Sequence, residues 1–241
     1  GYDACFVLPP SFAAAVAALF SRARRRIGFG GELRSALLTD ALPAEGYRAE
    51  HLSRAYLRLL ERFTGRTEDA VPLPAVAPPA SWRSAAAERA GTRDYFVLAP
   101  GATYGSSKVW PHERYAALAR RLAAERRLTP VVVGNANERT CAAALIENAA
   151  ADGRNLAGEL ALEDLIAGLR GARVAIGNDS GPVHLAAALG VPTVAIFGPT
   201  SPGWTAPRGA AVRIVASSSS ESCIRNTCLA QALMMLKTGA S

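Results

Sequence analysis

Residues 174–197 read VAIGNDSGPVHLAAALGVPTVAIF, and this stretch decides the fold class. Both of its ends are short, apolar and rich in valine and isoleucine, which is typical of strands that are buried on both faces. The segment between them is predicted to be a helix, because Ser180 or Gly181 can serve as its N-cap and Pro182 suits the first helical position. The order strand, helix, strand indicates a parallel β-α-β unit.

The same alternation continues upstream as far as Tyr95. Short apolar strands are predicted at Tyr95–Ala99, Pro130–Val133, Val174–Ile176 and Val194–Phe197, and helices at His112–Arg126, Glu138–Ala150, Leu162–Leu169 and Pro182–Leu189. Helices between parallel strands cover both faces of a sheet. The sequence therefore predicts an α/β protein with a Rossmann-like parallel sheet.

A second, smaller domain is predicted before residue 80. Its pattern indicates a strand at Ala4–Leu8, a helix at Phe12–Phe20 capped by Ser11, a basic loop at Arg22–Arg26 and a helix at His51–Phe63. Four prolines lie between residues 70 and 80 with no periodicity and little charge, which is typical of an extended linker. We therefore assign residues 1–80 to a first domain and linker, and residues 81–241 to a second domain.

The charge of the chain favours partners that carry phosphate. Its 27 basic and 20 acidic residues give a formal net charge of +7, and nearly all of the basic residues are arginines. They are spread along the chain and no nucleic-acid motif accompanies them, so nucleic acid is not an expected partner. No apolar run is long enough to span a membrane and no signal peptide precedes the first strand, so we expect a cytoplasmic protein.

Metal and cofactor sites are not expected. The four cysteines contain no CxxC pair, and the three histidines are too scattered to complete a zinc site with them. The spacing of Cys223 and Cys228 leaves open a small disulfide loop or a metal shared with a partner. No Asp-x-Asp pair is present to hold a diphosphate through a cation, and no Gly-x-Gly-x-x-Gly follows the first strand of the second domain.

Ligands of open parallel sheets bind outside the carboxyl ends of the strands, so the loops that follow the strands carry the candidate site. The first loop, residues 100–108, contains small residues, the hydroxyl of Thr103 and a lysine, Lys108, that can reach a phosphate. The loop after Phe197 adds Thr200 and Ser201, whose hydroxyls can bond phosphate or sugar.

The loop at residues 177–182 predicts an anion site, because the free N–H groups at the start of the following helix face the ligand crevice. Ser180 and Gly181 lie at that start. Asp179 beside it either binds sugar hydroxyls or Lys108, or caps the helix, since a bare carboxylate would repel a diphosphate. His184 is interpreted as a buried core histidine, or as one that supports a ligand-binding residue without contacting the ligand, rather than as a catalyst.

The loop at residues 134–138 offers amide and carboxylate groups where a ribose would lie if a nucleotide crossed the sheet. Asn137 and Glu138 are the candidates. Alternatively, the Glu138 carboxylate interacts only with the positive N-terminal end of its own helix and contacts no ligand. The sequence leaves both alternatives open.

Two segments of the second domain resemble the signatures of the ADP-heptose:lipopolysaccharide heptosyltransferases, glycosyltransferase family 9. These segments are residues 177–202 and residues 100–111. Upstream, residues 8–12, 25–29, 31–34 and 37–38 are similar to the heptosyltransferase II branch of that family.

The resemblance implies a GT-B fold with two Rossmann-like domains and with the donor on the C-terminal domain. It also implies an inverting, metal-independent transfer of L-glycero-D-manno-heptose from ADP-heptose to the Kdo and heptose residues of the lipopolysaccharide inner core. Peripheral contact with the inner face of the inner membrane would follow from such an acceptor.

By motif position, the resemblance implies that Lys108 contacts the donor phosphates and Asp179 the heptose. Ser180 and Gly181 would bind the diphosphate through their N–H groups, and Asn137 or Glu138 would lie near the adenosine ribose. The residues alone leave two alternatives open, a nucleotide-binding module without transfer activity and a GT-B transferase or epimerase that uses another nucleotide sugar.

Two features depart from the family pattern. Family members begin with a strand and a glycine-containing loop whose aspartate is the general base for the acceptor hydroxyl, and no residue of this sequence stands at that position. We therefore expect an incomplete N-terminal domain and no catalytic base among these residues. The tail from Ser217 lacks the cysteine- and proline-rich stretch and the returning helix of the family.

Overall fold

The computed structural model describes residues 1–48, 50–68, 70–79, 88, 91–92, 94–101, 109–216 and 221–238. The chain forms two compact units. Unit 1 comprises Gly1–Pro72 and Gly203–Thr205, and unit 2 comprises Leu73–Pro202 and Ala206–Ser241. The domain limit at residue 80 stays a prediction, because residues 80–87 lie outside the described part of the chain.

Unit 1 is built on a three-stranded parallel sheet in the order β1-β2-β3. Its elements are β1 (Ala4–Val7), helix α1 (Phe12–Phe20), β2 (Arg25–Phe29), β3 (Asp40–Leu42) and helix α2 (Leu52–Thr64), with 3-10 turns at Glu32–Leu37 and Ala44–Tyr47. Ser11 caps α1 as predicted, since its Oγ accepts the Ala14 N–H at 3.2 Å.

The predicted loop at Arg22–Arg26 is wrong in its second half, because β2 begins at Arg25. The Arg25 guanidinium makes a bidentate pair with Asp40 on β3, at 2.8 Å to Oδ1 and 3.2 Å to Oδ2. This hydrogen bond also holds the pKa of Asp40 below its usual range. An arginine therefore fits in β2 because Asp40, on the neighbouring strand β3, pairs with its charge.

Unit 2 contains a six-stranded sheet in the order β6-β5-β4-β7-β8-β9, with parallel strand pairs throughout. The strands are β4 (Tyr95–Ala99), β5 (Thr129–Val132), β6 (Arg154–Asn155), β7 (Ala175–Asn178), β8 (Thr193–Phe197) and β9 (Val212–Ala216). The helices that follow β4 are α3 (His112–Arg126), α4 (Arg139–Ala149), α5 (Leu162–Gly171), α6 (Gly181–Ala188), α7 (Pro202–Thr205) and α8 (Glu221–Thr238), with a 3-10 turn at Ala136–Glu138. This confirms the predicted α/β class and the Rossmann-like parallel sheet.

Helices cover both faces of the unit 2 sheet, as the alternation predicts. Successive side chains of β4 point to opposite faces. Phe96 and Leu98 pack into a core with α3, α4 and α8, whereas Tyr95 and Val97 pack into a core with α5 and α6. Within the described part of the chain, no helix has both the length and the apolar character of a membrane span.

Helix α8 forms where the sequence departs from the family pattern, in the tail after Ser217. Its residues Cys228, Ala232 and Met235 are buried in the core of unit 2. Burial raises the pKa of the Cys228 thiol from its ordinary value of 9.0 to about 12, so the thiol is neutral at physiological pH and packs as an apolar group. Cys228 is a free thiol with no exposed surface, so the small disulfide loop and the metal shared with a partner are both wrong for it, while the side chain of Cys223 lies outside the described part.

The buried thiol predicts a loss of stability at alkaline pH. Because the folded-state pKa of Cys228 is raised above the unfolded-state value, its stabilising contribution is complete below pH 9.0 and is lost as the pH rises toward 12. Between pH about 8 and about 10, we expect the free energy of unfolding of the wild type to fall by about 1.4 kcal/mol more than that of Cys228→Ala. Urea titrations measure this difference, and equal falls in the two proteins would contradict it.

The strand order places a topological switch point between β4 and β7, where ligand crevices of such sheets open. Ala99 and Gly177 pair there. A Cβ at Gly177 would lie 2.7 Å from the Ala99 carbonyl oxygen and 2.9 Å from Val183 Cγ1. Glycine therefore lets β4, β7 and α6 pack this closely at the mouth of the crevice.

Candidate functional site

A cleft of about 310 Å³ opens at the carboxyl ends of β4, β5 and β7, at the switch point of unit 2. Its size falls in the range of small-ligand sites. The polar part of its lining consists of Gly101, Gly134, Asn135, Glu138, Ser180 and Gly181. The structure thus brings together three residues predicted from two separate loops, namely Glu138 from one loop and Ser180 and Gly181 from the other.

The apolar part of the lining was not predicted from the sequence. It consists of Ala99, Val133, Leu160, Leu165 and Pro182. Leu160 and Leu165 come from the segment around the start of α5, where nothing distinguishes them from core leucines. An apolar wall next to a few polar groups suits a flat base attached to a polar sugar.

Glu138 lies where the loops after β4 and β5 meet. Its Oε2 accepts the Asn135 N–H at 2.9 Å, and Asn135 Oδ1 accepts the Asn137 N–H at 2.9 Å, which together form a capping box before α4. A Cβ at Gly101 would overlap Glu138 Oε1, so that oxygen lies directly against the loop after β4. Glu138 therefore complements the start of its own helix and also lines the cleft.

The two residues considered for a ribose are separated by the structure. Glu138 lies on the wall of the cleft, whereas Asn137 is exposed and lies outside the lining. Asn135 lines the cleft instead. Sequence reasoning missed Asn135 because either asparagine of the loop can face a ligand until the geometry of the 3-10 turn is known.

The start of α6 presents a backbone donor to the cleft. Ser180 is the N-cap, with extended backbone angles of φ −152° and ψ 164°, and its Oγ donates to the Asn178 carbonyl at 3.1 Å. Pro182 is the second residue of the helix and not the first as predicted, because the helix begins at Gly181. Pro182 has no N–H, and the Val183 N–H donates to the Ser180 carbonyl at 3.2 Å. Gly181 therefore supplies the N–H at the positive end of the helix dipole, on the wall of the cleft.

Asp179 lies in a cluster beside the cleft that links the loops after β7 and β8. Its side chain is 8% exposed. Its Oδ2 accepts the Thr200 hydroxyl at 3.2 Å, and its Oδ1 lies 3.5 Å from His184 Nε2. The N-cap position of α6 is occupied by Ser180 and not by Asp179. The cluster therefore joins three of the predicted site residues.

His184 and Ser201 are both exposed. The His184 side chain is 44% exposed, so of its two interpretations the core histidine is wrong. It lies against Asp179, and its role in supporting a residue that contacts the ligand stays a prediction. Ser201 occupies the N-cap position of α7 without a side-chain cap bond. Neither residue lines the cleft.

Two predicted residues of the first loop, Thr103 and Lys108, lie outside the described part of the chain. The described residues stop at Gly101, which lines the cleft, and resume at Val109. Among the residues that the structure describes, no group of three histidine, cysteine or acidic side chains is placed to hold a metal ion.

The model of glycosyltransferase family 9 (heptosyltransferase) matches residues 1–234. The chain belongs to glycosyltransferase family 9. A single family match thus extends through both units of this family 9 chain.

Individual relatives of the family 9 chain agree with this assignment. The lipopolysaccharide heptosyltransferase 2 of Escherichia coli K12 is 33% identical over 228 residues, which is 89% of this chain and 65% of that protein. The protein of the same name from Salmonella typhimurium is also 33% identical and is likewise covered to 65%. The chain therefore spans about two thirds of the length of the curated relatives it matches.

A solved structure also matches the family 9 chain. The E. coli ADP-heptose lipopolysaccharide heptosyltransferase II has a TM-score of 0.82 at 27% identity, and the match covers 100% of this chain and 78% of that one. The findings confirm the predicted GT-B fold class and the resemblance to heptosyltransferase II.

Proposed function

We propose that this chain provides the donor-binding part of an inverting, metal-independent heptosyltransferase, which moves L-glycero-D-manno-heptose from ADP-heptose to the inner core of lipopolysaccharide. The observation that carries the proposal is the switch-point cleft, in which Glu138 and Gly181 face a common volume. The names of the E. coli relative and of the solved heptosyltransferase II support this donor and this acceptor.

The polarity of the cleft gives the proposed donor an orientation. The apolar wall of Val133, Leu160 and Leu165 suits the adenine. The carboxylate of Glu138 is proposed to accept hydrogen bonds from the ribose hydroxyls. The diphosphate then reaches the Gly181 N–H and the positive end of α6, where an anion is stabilised. From the sequence, Thr103 and Lys108 are proposed to add contacts to the phosphates.

The heptose is proposed to lie beyond the diphosphate, at the Asp179 cluster. A carboxylate accepts hydrogen bonds from sugar hydroxyls, and these are stronger than bonds between neutral groups. Thr200 orients Asp179 through its hydroxyl, and His184 supports the opposite oxygen. Ser201 follows Thr200 on the same loop and is proposed as a further contact to the donor.

Transfer requires stabilisation of the leaving diphosphate. As the bond from the anomeric carbon to the phosphate oxygen breaks, negative charge grows on ADP. Donors that are already aimed at this position lower the barrier, and the Gly181 N–H, the helix end and Lys108 are the groups proposed for it. The proposal includes neither a metal ion nor a cofactor.

The proposed acceptor is the Kdo and heptose region attached to lipid A, reached from the cytoplasmic side of the inner membrane. Peripheral contact with the inner face of that membrane is part of the proposal. The net charge of +7 supports contact with a phosphorylated lipid. Nucleic acid is not a proposed partner.

Calorimetric titration with ADP, UDP and GDP tests the proposal. We expect ADP to bind at least about tenfold more tightly than the other two nucleotides, a difference of about 1.4 kcal/mol. A preference for UDP or GDP would overturn the assignment and indicate a transferase or epimerase for another nucleotide sugar.

Gly101 provides a test of the placement of Glu138. A methyl group at residue 101 must displace the Glu138 carboxylate from the cleft. We expect Gly101→Ala to weaken ADP binding about 3- to 10-fold, and to have no further effect in a Glu138→Ala background. Titration of the four proteins with ADP completes this cycle. Additive losses would show that Gly101 acts independently of Glu138.

A further inference from the structure

Asn178, at the end of β7, is a buried polar residue to which the proposed function gives no role. Its side chain is fully buried. Its Nδ2 donates to the Pro100 carbonyl. Its Oδ1 accepts both the Trp110 N–H at 3.1 Å and the Tyr115 hydroxyl at 3.0 Å. A buried amide is costly unless its polar atoms are bonded, and here both ends of the amide are used.

The partners of Asn178 belong to both ends of the loop that follows β4. Pro100 directly follows β4, and Trp110 lies just before α3. The Trp110 ring packs edge-on against Tyr115, with ring centroids 4.9 Å apart, and both side chains are buried. Trp110, at the end of the loop, is therefore held in the core. Asn178 bonds to Trp110 and also to Pro100, at the start of the loop, so one side chain holds both ends.

Asn178 also connects two walls of the cleft. On one wall, Pro100 precedes Gly101, which lines the cleft. On the other, the Asn178 carbonyl accepts the hydroxyl of Ser180, which lines the cleft as well. The spacing between the two walls therefore depends on this residue. Asparagine suits the task because its side chain donates at one atom and accepts at the other.

We propose that Asn178 is a positioning residue for the nucleoside diphosphate. It holds Gly101 and the start of α6 at the spacing that the diphosphate requires, without contacting the ligand itself. The proposal rests on the proposed function, because it assumes that the cleft binds a nucleoside diphosphate. It extends that function to a residue that supports both walls of the site at once.

The variant Asn178→Asp tests the proposal. It preserves the size of the side chain and the oxygen that accepts from Trp110, but replaces the donor to Pro100 with an oxygen that repels it. We expect ADP affinity to fall about tenfold, whereas the affinity for adenosine, which lacks phosphates, stays within about twofold. Tyr115→Phe removes a single donor to Oδ1 and is expected to weaken ADP binding about 2- to 3-fold.

A matched control separates positioning from general destabilisation. Thr193 is the second fully buried polar residue in the described part of the chain, and its hydroxyl donates to the Val191 carbonyl at 2.7 Å. It begins β8, at the end of the sheet opposite the cleft. Thr193→Val should lower the Tm without changing ADP affinity. Unchanged ADP affinity in folded Asn178→Asp, or equal losses for ADP and adenosine, overturns the proposal.

The hydrogen-exchange rate of the Trp110 amide tests the role of Asn178 independently of the proposed function. The exchange rate reports on the bond to Asn178 whether or not ADP binds. We expect exchange in Asn178→Ala, which removes the Oδ1 that accepts the Trp110 N–H, to be at least about tenfold faster than in Thr193→Val. If the wild type fails to bind ADP, the proposed function fails, and equal exchange in the two variants rejects the positioning role independently.

Discussion

Asp179→Asn is expected to weaken ADP-heptose binding by about 2–3 kcal/mol, a factor of about 30 to 150, while ADP affinity stays within about twofold. The carboxylate is 8% exposed and enclosed by Thr200 and His184. Hydrogen bonds from sugar hydroxyls to such a charged acceptor are strong. Asparagine keeps an oxygen that can accept from Thr200, so the two loops retain their connection and the loss falls on the sugar.

Calorimetric titration of the same protein with ADP and with ADP-heptose measures this difference. Thr200→Val is a matched control, because it removes the hydroxyl that orients Asp179 but leaves the charge. We expect a smaller loss for it, of about 1 kcal/mol, again confined to ADP-heptose. Equal losses for both ligands in Asp179→Asn would instead assign the carboxylate to the connection between the loops after β7 and β8.

The fold was most predictable where one local pattern decides the element. The observed limits of β4 and α3 are those predicted, because β4 is a wholly apolar run and α3 has a helical repeat. The pattern failed at β2, since the partner that allows an arginine there is Asp40, on another strand. Strand β6 has two residues and too little pattern to detect. Tertiary contacts decide both of these strands.

The location of the site was predictable because parallel sheets bind ligands at one edge. Four loops, those after β4, β5, β7 and β8, were identified on that ground, and the first three line the cleft whereas the loop after β8 does not. The role of Asn178 was not predictable, because its partners lie 63 to 78 positions away in the sequence. The ligand roles of Glu138, Asp179 and Gly181 stay predictions, and the variants described for them are the means of testing each one.

Gly181→Pro is expected to delete one donor of the proposed diphosphate site without disturbing the helix that carries it. Proline is favoured at the first helical position, which Gly181 occupies. Ser180 already has the extended backbone that a residue before proline prefers. Apart from its two chain neighbours and the backbone of its own helix, a Cβ built at Gly181 meets no atom within 4 Å. Residue 181 also precedes Pro182, and a Cβ before proline is disfavoured in the helical conformation, so we expect the free protein to lose about 0.5–1 kcal/mol of stability, as Gly181→Ala also should.

The loss of the N–H should appear as a loss of ADP affinity of about 1.5–3 kcal/mol, because a hydrogen bond to a phosphate oxygen is charge-assisted. Gly181→Ala is the matched control, since it adds a side chain but retains the N–H, and we expect it to lose less than about 0.5 kcal/mol of ADP affinity. Calorimetry with ADP, together with urea unfolding of both variants, separates binding from stability. If the proline and alanine variants bind ADP with equal affinity, the diphosphate does not bind at the start of α6, and the loop that carries Lys108 becomes its expected position.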